Sequence, residues 1–354
     1  MFLAIRELTH AKFRYVLIGL IMVLIASLIF IISGLTKGLS ADNASAIQNL
    51  QADYVLMEPD AELEITKSFI PHKKLDDIAK IDGVEEANPL SIRMMNASVN
   101  GTQQNEDVAL FVTEADGVLL PSVSEGKTIA NENEVIADSS LKREGIEIGD
   151  TLQFGEESEF TIVGFTDNQR YSHTSVLFMD NGQRDNINAI TIQAEEGKID
   201  AIKSTIGDSL DIVTTEEALQ GIPSYSQEQA SLNMMIIFLF VIAAFVLAAF
   251  FYVITLQKRD QFGVLKALGA KTIYLVKNLI GQVVLLSVIC IAVGVGLTLG
   301  IKALLPEDMP FLLETSGMIQ TSLLILAVSV VGALVSLVQV VKIDPIEAIE
   351  GAGK

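Results

Sequence analysis

Gly126-Lys127-Thr128 closes the way a phosphate-cradling loop closes, but the first glycine of the G-x-x-x-x-G-K-T pattern would fall at Pro121, so nucleotide binding by this chain is not expected. Three histidines and one cysteine show no metal-ligand spacing, and no Ser/His/Asp arrangement is apparent. Neither an enzyme, a metal site nor a cofactor is therefore expected. One stretch is left with the chemistry of recognition. Gln257 to Lys271, QKRDQFGVLKALGAK, is short, basic and half apolar, and it predicts a small surface-lying helix with Phe262, Leu265 and Leu268 on one side. A loop that only sets topology needs the charge but not an apolar face, and both readings are open on these residues alone.

The elements that must position that helix are four stretches free of Asp, Glu, Lys and Arg: Tyr15 to Leu35, Leu232 to Leu256, Leu279 to Ile301 and Ile319 to Val341. Each reaches the roughly 20 residues that a helix needs to cross hydrocarbon. The expected fold class is an α-helical membrane protein with four transmembrane helices and a large α+β extracytoplasmic domain inserted between the first and second. The first apolar run exceeds the roughly 7 to 15 residues of a secretory signal core and reads as a retained anchor. Arg6, Lys12 and Arg14 before it, with Lys258, Arg259, Lys266, Lys271 and Lys277 between the second and third spans, place both termini in the cytoplasm. The division that follows is 1–14 cytoplasmic, 15–35 span, 36–230 outside, 231–256 span, 257–277 cytoplasmic loop, 278–301 span, 302–318 short outside loop, 319–341 span and 342–354 cytoplasmic tail. Residues 36–230 carry 36 of the 44 acidic and 13 of the 24 basic residues, a net charge of −23 against +3 elsewhere. So acidic a domain disfavours nucleic acid and argues against lying flat on anionic headgroups. Cys290 lies inside the third span, so the outside domain has no disulfide, and its roughly 190 residues must supply their own core.

Along the chain, MFLAIRELTHAKFR mixes apolar and charged residues as a helix on the inner membrane surface would, or as a charged flank would. Lys37 to Gln51 predicts a helical stalk, 52–57 a strand, 72–81 a helix and 90–99 a strand turning at Asn100-Gly101. Strands at 135–136, 151–154, 160–163, 175–179 and 189–193 follow, with a helical turn ending near Gly145 and a helix over 198–206. Thr214 to Glu217 has capping-box form. Gly294, Gly296 and Gly300 in the third span and Ala244 and Ala248 in the second allow close helix approach, read first as packing within the chain.

Arg259, Gly263, Leu265, Lys266, Ala267, Leu268 and Gly269 resemble the R-E-x-G-x-L-K-A-L-G loop of the four-span permeases of ATP-binding-cassette systems, the MacB or FtsX-like type. Asp260 and Gln261-Phe262 shift the acid and the spacing slightly. The tail from Ile343 to Ile349 is similar to the family's terminal P-x-E-A-L-R, with Ile349-Glu350 in place of Leu-Arg. Ala137-Asp138-Ser139, Ile148-Gly149-Asp150 and Thr161 to Phe165 are similar to its extracytoplasmic core. The resemblance implies a coupling helix seated in a groove of a separate ATPase, with Arg259, Asp260, Phe262, Gly263, Leu265, Lys266, Leu268 and Gly269 as contacts. It also implies a homodimer in the bilayer clamped by two ATPase subunits. A narrower similarity is to the haem-exporter permeases of Gram-positive bacteria, in Leu3 to Leu8 with Lys12 to Tyr15, Ser33-Gly34-Leu35 with Gly38-Leu39, and Phe250 to Arg259. It implies an exporter of haem, which serves as cargo rather than cofactor.

Haem iron takes Met, His or Tyr ligands beside an apolar wall. The candidates are Tyr225, Met234 and Met235 at the outer end of the second span, and Tyr171 and His173 in a loop before a strand, each of which has packing or plain exposure as its simpler explanation. Antimicrobial peptide or lipid could replace haem as cargo. In a different class, the same fold could be a mechanical transmitter that activates a cell-wall hydrolase.

Overall fold

The computed structural model describes residues 12–155, 158–180, 185–306 and 309–341. Their α-helices are α1 (Lys12–Gln48), α2 (Lys73–Ile78), α3 (Ile199–Ile206), α4 (Thr215–Ala218), α5 (Tyr225–Gln257), α6 (Arg259–Ala267), α7 (Thr272–Lys302) and α8 (Thr315–Val341). Two compact units result, 1–38 with 231–354, and 39–230. Of the surface helix expected over 1–14, residues 1–11 lie outside the described residues, as does the tail over 342–354, and Lys12 to Arg14 instead open α1.

Helices α1, α5, α7 and α8 are the four long apolar helices, of 37, 33, 31 and 27 residues. At 1.5 Å per residue each is longer than the roughly 30 Å of hydrocarbon it must cross, so the helices run on past the apolar runs. The limits at 36 and 230 thus mark where hydrophobicity stops, while the backbone stays helical to Gln48 and is already helical at Tyr225. Small residues set the close approaches. A Cβ on Gly294 would lie 3.2 Å from the Ala26 methyl, and one on Gly332 would lie 3.1 Å from the Ala244 carbonyl. A Cβ on Gly296 or Gly300 would meet no described residue within 4 Å, so neither marks a close helix approach among the described residues. Gly38 is the tightest point of α1. A Cβ there would stand 2.1 Å from the Pro310 carbonyl oxygen, because the segment after α7 lies on the Gly34–Gly38 face and the Leu312 N–H donates to the Gly34 carbonyl at 3.0 Å.

The inserted unit is built on one mixed sheet. Its strand order is Asp211–Thr214, Tyr54–Met57, Ala189–Ala194, Val84–Val99, Asn105–Thr113, Thr174–Asp180, Glu134–Asp138, Ser158–Thr166 and Glu125–Gly126. Asn105–Thr113 and Thr174–Asp180 pair in parallel, as do Glu134–Asp138 and Ser158–Thr166, and the other neighbours are antiparallel. Alternation along the central strands fills two cores. Ala109 and Phe111 enter one with Val176 and Phe178, while Val108, Leu110 and Val112 enter the other with Leu177 and Met179. Strands buried on both faces read as continuous apolar runs, as VALFV and SVLFM do. Val84–Val99 is longer than the sequence pattern suggested because its polar first half, Val84 to Pro89, gains its partners from Ala189–Ala194 across the sheet. Asn100 and Gly101, both at positive φ, open the loop that returns the chain to Asn105. The capping box is complete, with Glu217 N–H on Thr214 Oγ1 at 3.1 Å and Thr214 N–H on Glu217 Oε2 at 2.8 Å.

Candidate functional site

Helix α6 begins at a corner. Lys258, at φ −98° and ψ 7°, ends α5, and its carbonyl accepts the Phe262 N–H at 2.9 Å to start α6. Gly269, at φ +94°, stops the helix with Ala270 N–H on the Leu265 carbonyl at 2.9 Å, a left-handed turn that glycine takes without strain. Phe262 is buried with Leu275 and Leu279 of α7, and Leu265 packs against them. Leu268 is 79% exposed and Val264 is exposed beside it in helical register. The expected single stripe of Phe262, Leu265 and Leu268 is therefore divided. Three-residue steps each fall about 60° short of a full turn, so Leu268 lies about 120° round from Phe262, whereas Val264 and Leu268 are four apart and share a face. Among the other expected contacts Gly263 is buried, Lys266 half-buried and Arg259 exposed, and Asp260 lies within the helix.

At the far end of the same bundle a cavity of about 300 Å³ opens between α1, α5 and α8. Phe30 and Ile236 supply apolar wall, Lys37, Asn233 and Glu314 the polar groups, and Met318 a thioether. The lining thus joins apolar side chains to one cation, Lys37, and one anion, Glu314, the character of a site for an amphipathic molecule. Met234 and Met235 are exposed and stand outside the cavity lining, flanked by Asn233 and Ile236, which form it. The sequence placed methionine on α5 near this cavity but not on the inward face. Met318, in the polar first turns of α8 with Gln320 and Thr321, was not singled out in the sequence.

The remaining candidates lie in the inserted unit. Tyr171 is 2% exposed, edge-on to Phe111 at 5.5 Å between ring centroids, and burial pushes its phenol pKa well up. Tyr225 is buried too, its hydroxyl 3.0 Å from Ser40 Oγ. As placed, both tyrosines are core residues and neither offers an open ligand position. Ser172 and His173, at φ +49° and +64°, form a two-residue hairpin turn that swings His173 out of the sheet. Its Nδ1 lies 2.7 Å from Asp42 Oδ2 of α1 and its Nε2 3.2 Å from Glu228 Oε1 of α5. Arg170 Nε donates to the other Asp42 oxygen at 3.0 Å. Burial works against the imidazolium, but the two carboxylate hydrogen bonds outweigh it and hold the pKa above its ordinary value. Both ring nitrogens are engaged, so His173 acts as a clamp between the two helix ends rather than as a ligand for iron. Asp42 and Glu228, the partners that give it this role, lie 131 and 55 residues away and carried no signal in sequence.

Residues 233–345 match the model of the FtsX-like permease C-terminal family. The chain is 35% identical over 356 residues to a Staphylococcus haemolyticus protein provisionally named hemin transport system permease protein HrtB, covering 99% of both. It is 32% identical over 353 residues to a Staphylococcus epidermidis protein of the same name, again covering 99% of both. The crystal structure of the periplasmic region of MacB from Actinobacillus actinomycetemcomitans aligns with 49% of this chain and 94% of its own length, at 12% identity and a TM-score of 0.39. With its four long apolar helices and full-length kinship, the chain belongs to the FtsX-like permeases of ATP-binding-cassette transporters, membrane components that rely on an ATPase partner and are not themselves enzymes.

Proposed function

We propose that this permease exports haem, or a closely similar amphipathic acid, as a homodimer clamped by two ATPase subunits, with both termini in the cytoplasm and residues 39–230 outside. The kinship along 99% of the chain with hemin transport system permeases carries the reading. Two features support it. Val264 and Leu268 form an exposed apolar pair on a basic helix, fit to enter a groove on an ATPase. The cavity at the other end has an apolar wall with one cation, Lys37, to meet a porphyrin carboxylate, and it lies in the bundle, where a substrate already dissolved in lipid can enter sideways. Hydrolysis in the partner displaces α6, and the spans pass that displacement to the cavity.

The test is hemin-stimulated ATP hydrolysis by the purified complex in lipid nanodiscs, alongside growth of cells at toxic hemin concentrations. Stimulation with protection supports the reading. Stimulation by peptide or lipid with hemin inert moves the cargo to that class, and an ATPase indifferent to all three while the outer domain captures a cell-wall hydrolase replaces transport with mechanical signalling.

A further inference from the structure

Lys258 is 8% exposed although it stands among basic residues that the sequence assigned to the cytoplasmic surface. Its Nζ donates to Tyr15 Oη of α1 at 3.2 Å and to Gln282 Oε1 of α7 at 3.4 Å, and Tyr15 Oη donates to the same Gln282 oxygen at 3.1 Å. The ammonium also lies 5.8 Å from the centre of the Tyr15 ring. Three spans thus meet at one buried charge, at the residue where the backbone leaves α5 and turns into α6. The Lys258 N–H is shared between the Ile254 and Thr255 carbonyls at 3.1 and 3.2 Å, so the corner is tied by main chain as well.

A buried ammonium is costly to hold unless its donors are satisfied, and those donors must be directional to keep it. That cost makes the corner resistant to gradual bending. Displacing α6 either carries α1 and α7 along or breaks a buried polar network, and partly satisfied networks of this kind are unfavourable intermediate states. An apolar side chain at 258 would pack there without direction and let α6 swing alone.

We propose that Lys258 is the positioning residue that fixes α6 to α1 and α7, so that movement imposed on α6 by the ATPase reaches the spans. The proposal rests on the ATP-driven reading above and adds the residue through which the drive passes. Lys258 itself faces inward and lies off the exposed Val264–Leu268 face, so docking and transmission are separable by mutation.

The experiment uses the permease–ATPase complex in nanodiscs, in a Cys290→Ala background with a fluorophore on Leu304→Cys, a position exposed beyond the far end of α7 and outside the cavity lining. ATP-driven fluorescence change reports transmission without needing a known cargo. For Lys258→Met the expected result is ATPase binding and basal hydrolysis within twofold of the parent, with the ATP-driven signal reduced at least fivefold. Lys258→Arg, which keeps charge and donors, should restore at least half of it. Tyr15→Phe, which removes only a hydroxyl and keeps the ring, should give a partial loss, and combining it with Lys258→Met should add nothing further. A Lys258→Met signal within twofold of the parent overturns the proposal. So does loss of ATPase binding equal to that of Leu268→Asp, which would make Lys258 a docking residue. If Lys258→Met fails to accumulate, Tyr15→Phe decides alone, and a full signal from it overturns the proposal. A parent complex with no ATP-driven signal overturns the transport reading itself, and the proposal with it.

Discussion

Replacing Leu268 with Asp separates the two halves of α6. The side chain is 79% exposed, so about four-fifths of the roughly 1.5–3 kcal/mol available from burying a leucine is still to be gained when a partner covers it. That is about 2 kcal/mol, or roughly 30-fold in affinity for one helix in one groove. Aspartate forfeits all of it and brings a carboxylate into an apolar groove, so about 30-fold is a lower limit. Little should change in the permease alone, because Leu268 already faces outward. Phe262→Ala is the contrasting case. Its ring is buried against Leu275 and Leu279, and emptying that site should cost about 3–5 kcal/mol of stability whether or not the ATPase is present. The assay is equilibrium binding of the purified ATPase subunit to permease in nanodiscs, with thermal unfolding of each variant measured in parallel. Unchanged affinity for Leu268→Asp, or an affinity loss matched by an equal loss of stability, refutes the division of α6 into an inward and a docking face.

Gly38→Ala should lower the unfolding midpoint, since its Cβ would meet the Pro310 carbonyl at 2.1 Å and force a shift costing about 1–3 kcal/mol, whereas Gly296→Ala, with no described atom within 4 Å, should not. Thr214→Ala removes one side of the capping box and should cost about 1 kcal/mol in thermal unfolding of the full chain. The His173 clamp should be pH-dependent. Its pKa is raised on folding, so its contribution is complete below the unfolded value of about 6.5 and is lost as pH rises through the higher folded value. The unfolding midpoints of the parent and His173→Gln should therefore differ at pH 6 and converge toward pH 8.5, and a gap that widens with rising pH contradicts the clamp. Removing the cavity's cation, as Lys37→Gln, should weaken hemin binding by roughly tenfold while leaving binding of an uncharged porphyrin ester unchanged, measured by absorbance titration.

The four spans were legible because twenty uncharged residues have few other destinations, and strands such as Thr174–Asp180 and Ala189–Ala194 because short apolar runs between turn residues mark them, whereas the central strand Asn105–Thr113 was not singled out. The capping box at Thr214 was legible for a local reason, since both of its hydrogen bonds span three residues. What escaped was everything decided by which side of a uniformly apolar helix faces inward. Met234 and Met235, candidate haem ligands at the outer end of the second span, stand outside the cavity, while Asn233, Ile236 and Met318 line it. Lys258 read as a surface charge because its neighbours are basic, and its burial depends on Tyr15 and Gln282, which are 243 and 24 residues distant. Tyr171 read as a loop residue, yet the strand it ends turns its ring into the core beside Phe111.

The seam where Gly34 and Gly38 receive the segment before α8 determines which wall of the cavity can give way. One side of the chamber is riveted: Leu312 is bonded to a main-chain oxygen of α1, and the absence of side chains there leaves no slack between the two. Widening by parting α1 from that segment would expose an amide and a carbonyl to hydrocarbon, where each must find another partner. Asn233 and Ile236, further along α5 than its tied first turn, meet the chamber through their side chains, so that wall can part from α1 without stripping a backbone bond of the Gly34–Leu312 kind.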